Sequence, residues 1–173
     1  MMETIAEAKE YLREHWEAGT KCPCCGQNVK LYKRKFNQSM AVCLIRLYRR
    51  GSSPGLDFYH IHDLQNDKLF RLHMNGGNFA TMRYWGVIES LEKDDDDTTR
   101  RTSGQWKITP LGRFFVQNMI NIPKYIYTYN MRLIKMGDQT TDIIESLSEK
   151  FDYQELMRGS YAKFRTQIQV NSQ

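Results

Sequence analysis

Residues 36–118 change their apolar periodicity in a fixed order: helix, strand, helix, turn, helix, then two strands around a polar loop. Asn37 or Ser39 is placed to cap a helix running to Arg50, with Met40, Cys43, Leu44 and Leu47 on its apolar face. Gly51-Ser52-Ser53-Pro54-Gly55 breaks it. Phe58-Tyr59-His60-Ile61 reads as a short strand, and Asp63 as the cap of a helix containing Leu64, Leu69 and Leu72. Asn75-Gly76-Gly77 is a turn, and residues 78–85 form a short helix that Gly86 stops. Strands are expected over 87–93 and 105–109, joined by the polar loop 94–104. Thr109-Pro110 then opens a helix carrying Leu111, Phe114, Phe115 and Met119, because proline suits the first helical position.

Met82-Arg83-Tyr84-Trp85-Gly86-Val87-Ile88-Glu89, followed by Trp106-Lys107-Ile108-Thr109-Pro110-Leu111-Gly112, resembles the winged helix-turn-helix regulators. In that family a recognition helix ends in glycine, an apolar pair opens the wing, and a Thr-Pro-x-Gly element closes it. The resemblance covers about half the chain and implies a helix set in the major groove with phosphates held from its flanks. At about 100° per residue, Phe79 and Met82 point inward while Asn78, Thr81 and Tyr84 face bases. Arg83 falls near the apolar side and would reach a phosphate from the flank. Lys33, Arg34, Lys35, Arg100 and Arg101 complete the expected phosphate contacts. The whole chain, residues 22–35 included, also resembles small uncharacterised bacteriophage proteins.

The flanks are simpler. Thr4-Ile5-Ala6-Glu7 is a capping box opening a helix over 5–18, with Gly19 as its stop. A strand-like piece follows at 28–32. Residues 122–136 alternate, with Tyr125, Tyr127 and Tyr129 on one face, and Tyr129-Asn130-Met131 turns them into a hairpin with 133–136. Thr140 or Thr141 is expected to cap a helix with Ile143, Ile144 and Leu147, and Asp152-Tyr153-Gln154-Glu155 opens another to Arg158. The expected organisation is therefore a helix and cysteine knuckle (1–35), a winged-helix module (36–120), a hairpin-and-helix extension (121–158) and a flexible tail (159–173). The fold class is α+β, mostly helical.

Cys22-Pro23-Cys24-Cys25-Gly26 suggests metal or redox chemistry. The spacing of Cys22 and Cys25 lets two thiolates approach one zinc ion, and Lys21 and Lys30 would favour the thiolate. A structural site needs four ligands, and Cys24, His15, Cys43, His60 and His62 are the further candidates. The cofactor reading is one structural zinc or none.

The formal net charge of +5 favours an anionic partner. The basic, aromatic stretch of residues 30–36 suits phosphate tracking with rings available for stacking. Asp94-Asp95-Asp96-Asp97, expected at the wing tip, argues partly against DNA there. No apolar run approaches the roughly 20 residues that cross a bilayer, and Glu3, Glu7 and Glu10 leave no secretory core, so a cytoplasmic protein without membrane partners is expected. No phosphate-binding glycine loop or Gly-x-Ser-x-Gly elbow points to an enzyme. The leading expectation is non-catalytic binding of double-stranded DNA, by a homodimer where the site is palindromic. The alternative is a phage-encoded module that blocks a host nucleic-acid-handling or defence complex by protein contact.

Overall fold

The computed structural model describes residues 4–51, 58–74, 78–91 and 103–159. The expected turn at 75–77, the acidic run at 94–97, Arg100, Arg101 and the tail from 160 lie outside them. In chain order the elements begin with α1 (Ile5–His15), β1 (Thr20–Lys21), β2 (Asn28–Val29), β3 (Tyr32–Lys35) and α2 (Gln38–Arg50). Next come β4 (Tyr59–His60), α3 (Ile61–Gln65), α4 (Lys68–His73), α5 (Asn78–Thr81) with a 3-10 turn over Met82–Trp85, β5 (Ile88–Ser90), β6 (Gln105–Ile108) and α6 (Pro110–Val116). The chain continues through β7 (Ile122–Pro123), β8 (Tyr125–Tyr129), β9 (Arg132–Met136), β10 (Thr140–Thr141), α7 (Ile143–Leu147) and α8 (Tyr153–Arg158). The fold is α+β with small antiparallel sheets. Among the described residues no helix is long and apolar enough to cross a membrane.

The chain divides into two compact units, Met1–Lys35 with Tyr125–Asp138, and Phe36–Lys124 with Gln139–Gln173. The larger unit is built around α2. Asn37 caps it by accepting the Met40 N–H at 3.1 Å. Met40 to Ile45 and Leu47 are all buried, so the helix is apolar nearly all round, as a central helix must be. It packs against α4, α6, α7 and α8. An edge-to-face aromatic chain extends this core, with Phe36 at 5.4 Å from Trp85 and 5.3 Å from Phe115, and Phe79 at 5.1 Å from Phe70 and 5.6 Å from Trp106. The three-stranded sheet has the order β4-β6-β5. The helix expected from Asp63 is two helices. His60 caps α3, and Asp67 caps α4 by accepting from Leu69 and Phe70 at 3.0 and 3.1 Å. Asp142, rather than Thr140 or Thr141, caps α7, accepting from Glu145 at 2.7 Å.

The smaller unit keeps the predicted capping box, Thr4 accepting from Glu7 N–H at 3.2 Å and Glu7 from Thr4 N–H at 3.1 Å. Its helix ends at His15 rather than Ala18, and Gly19 turns at φ +93 into the β1–β2 hairpin. The second sheet has the order β3-β8-β9. The 125–136 hairpin, expected to form an extension with the following helices, instead pairs with β3, ninety residues earlier in the chain. Its turn sits at Asn130 and Met131, both left-handed at φ +44 and +57, which suits a tight hairpin.

His73, at the end of α4, is half-buried, with its Nδ1 at 3.3 Å from the Ser39 hydroxyl and its ring edge-on to Phe151. Burial lowers its pKa below the ordinary imidazole value. The unfolded chain then takes up a proton at this residue at higher pH than the folded chain does. The stability contributed by neutral His73 is complete above pH about 6.5 and is lost as pH falls from there through the lowered folded value. Thermal melts between pH 7.5 and 5.5 should show a decline that is smaller in His73→Gln. Parallel declines would exclude His73 as its source.

Candidate nucleic-acid interface

Residues 78–85 form one α turn followed by the 3-10 turn, stopped by Gly86 at φ +72, whose N–H bonds the Arg83 carbonyl at 3.0 Å. Phe79, Met82 and Trp85 repeat every third residue and are buried. The Trp85 indole N–H also donates to the Pro123 carbonyl at 2.7 Å, fixing the segment to β7. Phe79 and Met82 therefore point inward, as their spacing predicts. Asn78, Thr81, Arg83 and Tyr84 are each partly exposed. The Arg83 guanidinium lies over the Tyr84 ring at 5.0 Å and donates to its hydroxyl at 3.2 Å. Arg83 and Tyr84 thus form one cation–aromatic pair, with Arg83 held against Tyr84 rather than standing apart on the flank. Across β5 and β6, Glu89 pairs with Lys107 at 3.0 Å.

Lys33, Arg34 and Lys35 lie in the smaller unit, on strand β3, whose four residues are all exposed. Their register splits them between two faces. Lys33 and Lys35 stand opposite Tyr127 and Tyr125, whereas Arg34 stands opposite the buried Ile126. The three do not form the single phosphate-contacting cluster that the sequence suggests. Lys33 Nζ lies 4.1 Å from the Tyr125 ring centre. Lys135, on β9 opposite Tyr127, places its Nζ 5.2 Å from that ring. This tyrosine–lysine face is the feature the sequence reading missed. Both halves of it were visible, as the alternating tyrosines and the basic run, but their pairing was not.

The cysteine knuckle caps the β1–β2 hairpin. Cys22 N–H bonds the Gln27 carbonyl and Gly26 N–H bonds the Cys22 carbonyl, both at 2.8 Å, with Gly26 at φ +71. The Cys22 thiol is held below its ordinary pKa by the Cys25 and Cys24 backbone N–H groups and by the Cys25 thiol. Backbone dipoles do what Lys21 and Lys30 were expected to do. Cys22 and Cys25 could give two thiolates to a zinc ion, and a structural tetrahedral site takes four ligands. Among the described residues no three His, Cys, Asp or Glu side chains come together to hold a metal ion. Cys43 is corrected as a ligand candidate. It is buried in α2 with Sγ 3.7 Å from the Phe70 carbonyl, and burial and the Asp67 carboxylate push its pKa up. His15 bonds the Tyr11 carbonyl at 2.8 Å and stacks on its ring. His60 and His62 stack on each other at 4.8 Å in the larger unit.

Comparison with family models, with curated proteins and with solved structures finds no match for this chain.

Proposed function

We propose that the chain is a non-catalytic binder of double-stranded DNA whose larger unit acts as a winged helix-turn-helix. The observation that carries this reading is the β4-β6-β5 sheet order in the setting of its helices. Helix α2 leads to strand β4, then to α3 and α4, then to segment 78–85, which runs through Gly86 directly into β5 and returns on β6. That succession is the one a winged helix uses to present a short helix to a major groove. The partly exposed Asn78, Thr81 and Tyr84 supply groups for base edges, and Arg83 a charge for a phosphate. Lys33, Arg34 and Lys35 belong to the other unit, so the duplex reading does not rest on them.

The test is fluorescence anisotropy of a labelled random-sequence duplex at several salt concentrations. Micromolar-or-tighter binding that weakens steeply with salt is expected. Arg83→Ala should weaken binding and flatten the log–log salt slope by about 0.9, the release expected for one lost phosphate contact. No duplex binding at low salt would end the proposal.

A further inference from the structure

The strands β3, β8 and β9 carry five cations, Lys33, Arg34, Lys35, Arg132 and Lys135, and no carboxylate. Directly opposed residues of antiparallel strands share a face. By register, one face of the sheet holds Tyr125, Tyr127 and Tyr129 in a row, with Lys35 and Lys33 along one side and Lys135 and Arg132 along the other. The opposite face takes the buried Ile126 and Thr128. The tyrosines are partly exposed, and successive rings in such a row stand about 7 Å apart along the strand.

This spacing and charge have a chemical meaning. A row of rings with lysine ammonium groups lying over Tyr125 and Tyr127 puts stacking surfaces and phosphate-binding cations in one place, so that a bound strand would draw the ammonium groups to its phosphates and the rings to its bases. Neutral apolar partners would leave the bordering cations unused, and acidic peptides would leave the ring faces unused. A single strand of nucleic acid uses both. A duplex keeps its bases stacked on one another and cannot offer them to the rings. At the Tyr129 end the row continues. Tyr129 meets Trp16 of the α1 C-cap edge-on at 5.2 Å, beside a cavity of about 300 Å³ lined by Leu12, Val29, Lys9 and Arg13. Beside the platform, the Glu17 carboxylate lies 3.9 Å from Lys135 Nζ.

We propose that the β3-β8-β9 face is a stacking platform for single-stranded nucleic acid, with Tyr125 and Tyr127 as base-stacking rings and Lys33, Lys35 and Lys135 as phosphate contacts. It is a second site, and it stands whether or not the larger unit reads duplex DNA.

The test uses the full chain, a labelled fifteen-nucleotide oligothymidine, the same length of oligouridine, and heparin as a base-free polyanion. Wild type should bind the oligonucleotides and release them less readily to heparin than to unlabelled oligothymidine. Tyr127→Leu should weaken oligothymidine binding about tenfold, while Tyr127→Phe, which keeps the ring face, should stay within about twofold. The exposed double variant Lys33→Ala/Lys35→Ala should flatten the salt slope by about 1.4, near 0.7 for each lysine. Far-ultraviolet circular dichroism would confirm that each variant is folded, and the two lysines changed are exposed. Equal binding by wild type, Tyr127→Leu and the lysine variant would overturn the proposal, as would no binding of either oligonucleotide at low salt. Duplex affinity measured in the same variants separates the two sites. Loss confined to single strands supports the platform, and equal loss on duplex overturns it as a single-strand site.

Discussion

Gly112→Ala is expected to destabilise the protein by about 3 kcal/mol, read as a lower urea midpoint with an unchanged slope. Gly112 sits in the first turn of α6, where a Cβ would lie 2.1 Å from the Val87 carbonyl oxygen and 2.8 Å from Ile108 Cγ1. The first contact is with backbone, so no rotamer change relieves it. Either α6 or the start of β5 must move. Both are tied at this point by Thr109. Its N–H bonds the Val87 carbonyl at 3.1 Å, its hydroxyl accepts from Gly112 N–H at 3.1 Å, and the same hydroxyl donates to the Gly86 carbonyl. Alanine gains about 1 kcal/mol of helix propensity over glycine, which offsets part of the overpacking cost without reversing it. The Thr109-Pro110-Leu111-Gly112 run thereby acquires a physical account. Threonine clips the helix start to the strand start, proline supplies the first helical φ, and glycine makes room for the carbonyl that the clip brings close. A Gly112→Ala protein as stable as wild type would mean that α6 and Val87 stand farther apart than this.

The parts of the fold that the sequence made legible are those specified within a few residues. Thr4, Asn37 and Asp152 announce helix starts through side chains that reach N–H groups two or three positions on, and each forms that bond. The inward set Phe79 and Met82 followed from helical spacing alone. The failures have equally local or decidedly non-local causes. Asp63 and Asp67 both lie in a polar stretch, and Asp67 prevails because its carboxylate takes two N–H groups at once and splits the expected helix. Thr141 lost the cap of α7 to the neighbouring Asp142 and uses its hydroxyl toward Ser146 and Glu145 instead. The platform is a different matter. Alternation placed the three tyrosines on one face, but nothing within either segment encodes the register Lys33 to Tyr127. A shift of one residue would have put Arg34 among the tyrosines in place of both lysines. Cys43 shows the same limit from the side of chemistry. A thiol reads as a ligand candidate in sequence, and only its burial in α2 makes it an inert core group.

Asp67→Ala should cost more than any single change at the surface, about 4 kcal/mol, because one carboxylate serves two structures. It caps α4, and it binds the Arg46 guanidinium of α2, with Nε at 2.7 Å and Nη2 also in contact. The two side chains are only 15% and 9% exposed, so the pair is shielded from the solvent that weakens surface ion pairs. Alanine removes the cap, worth about 1 kcal/mol, and takes from a desolvated guanidinium its carboxylate, which typically costs about 3 kcal/mol or more. Asparagine separates the two terms, since it caps a helix nearly as well as aspartate while lacking the charge. Asp67→Asn should therefore recover only about 1 kcal/mol of the loss. Adding Arg46→Met to Asp67→Asn should recover much of the remainder, because a buried cation no longer needs a counter-charge and an apolar chain of similar length fills its place. Equilibrium urea unfolding of the four proteins decides between the terms. Were Asp67→Asn as stable as wild type, the ion pair would contribute nothing net and the cap would account for the whole effect. Were the double variant no better than Asp67→Asn, the guanidinium would be stabilising α2 through contacts other than this carboxylate.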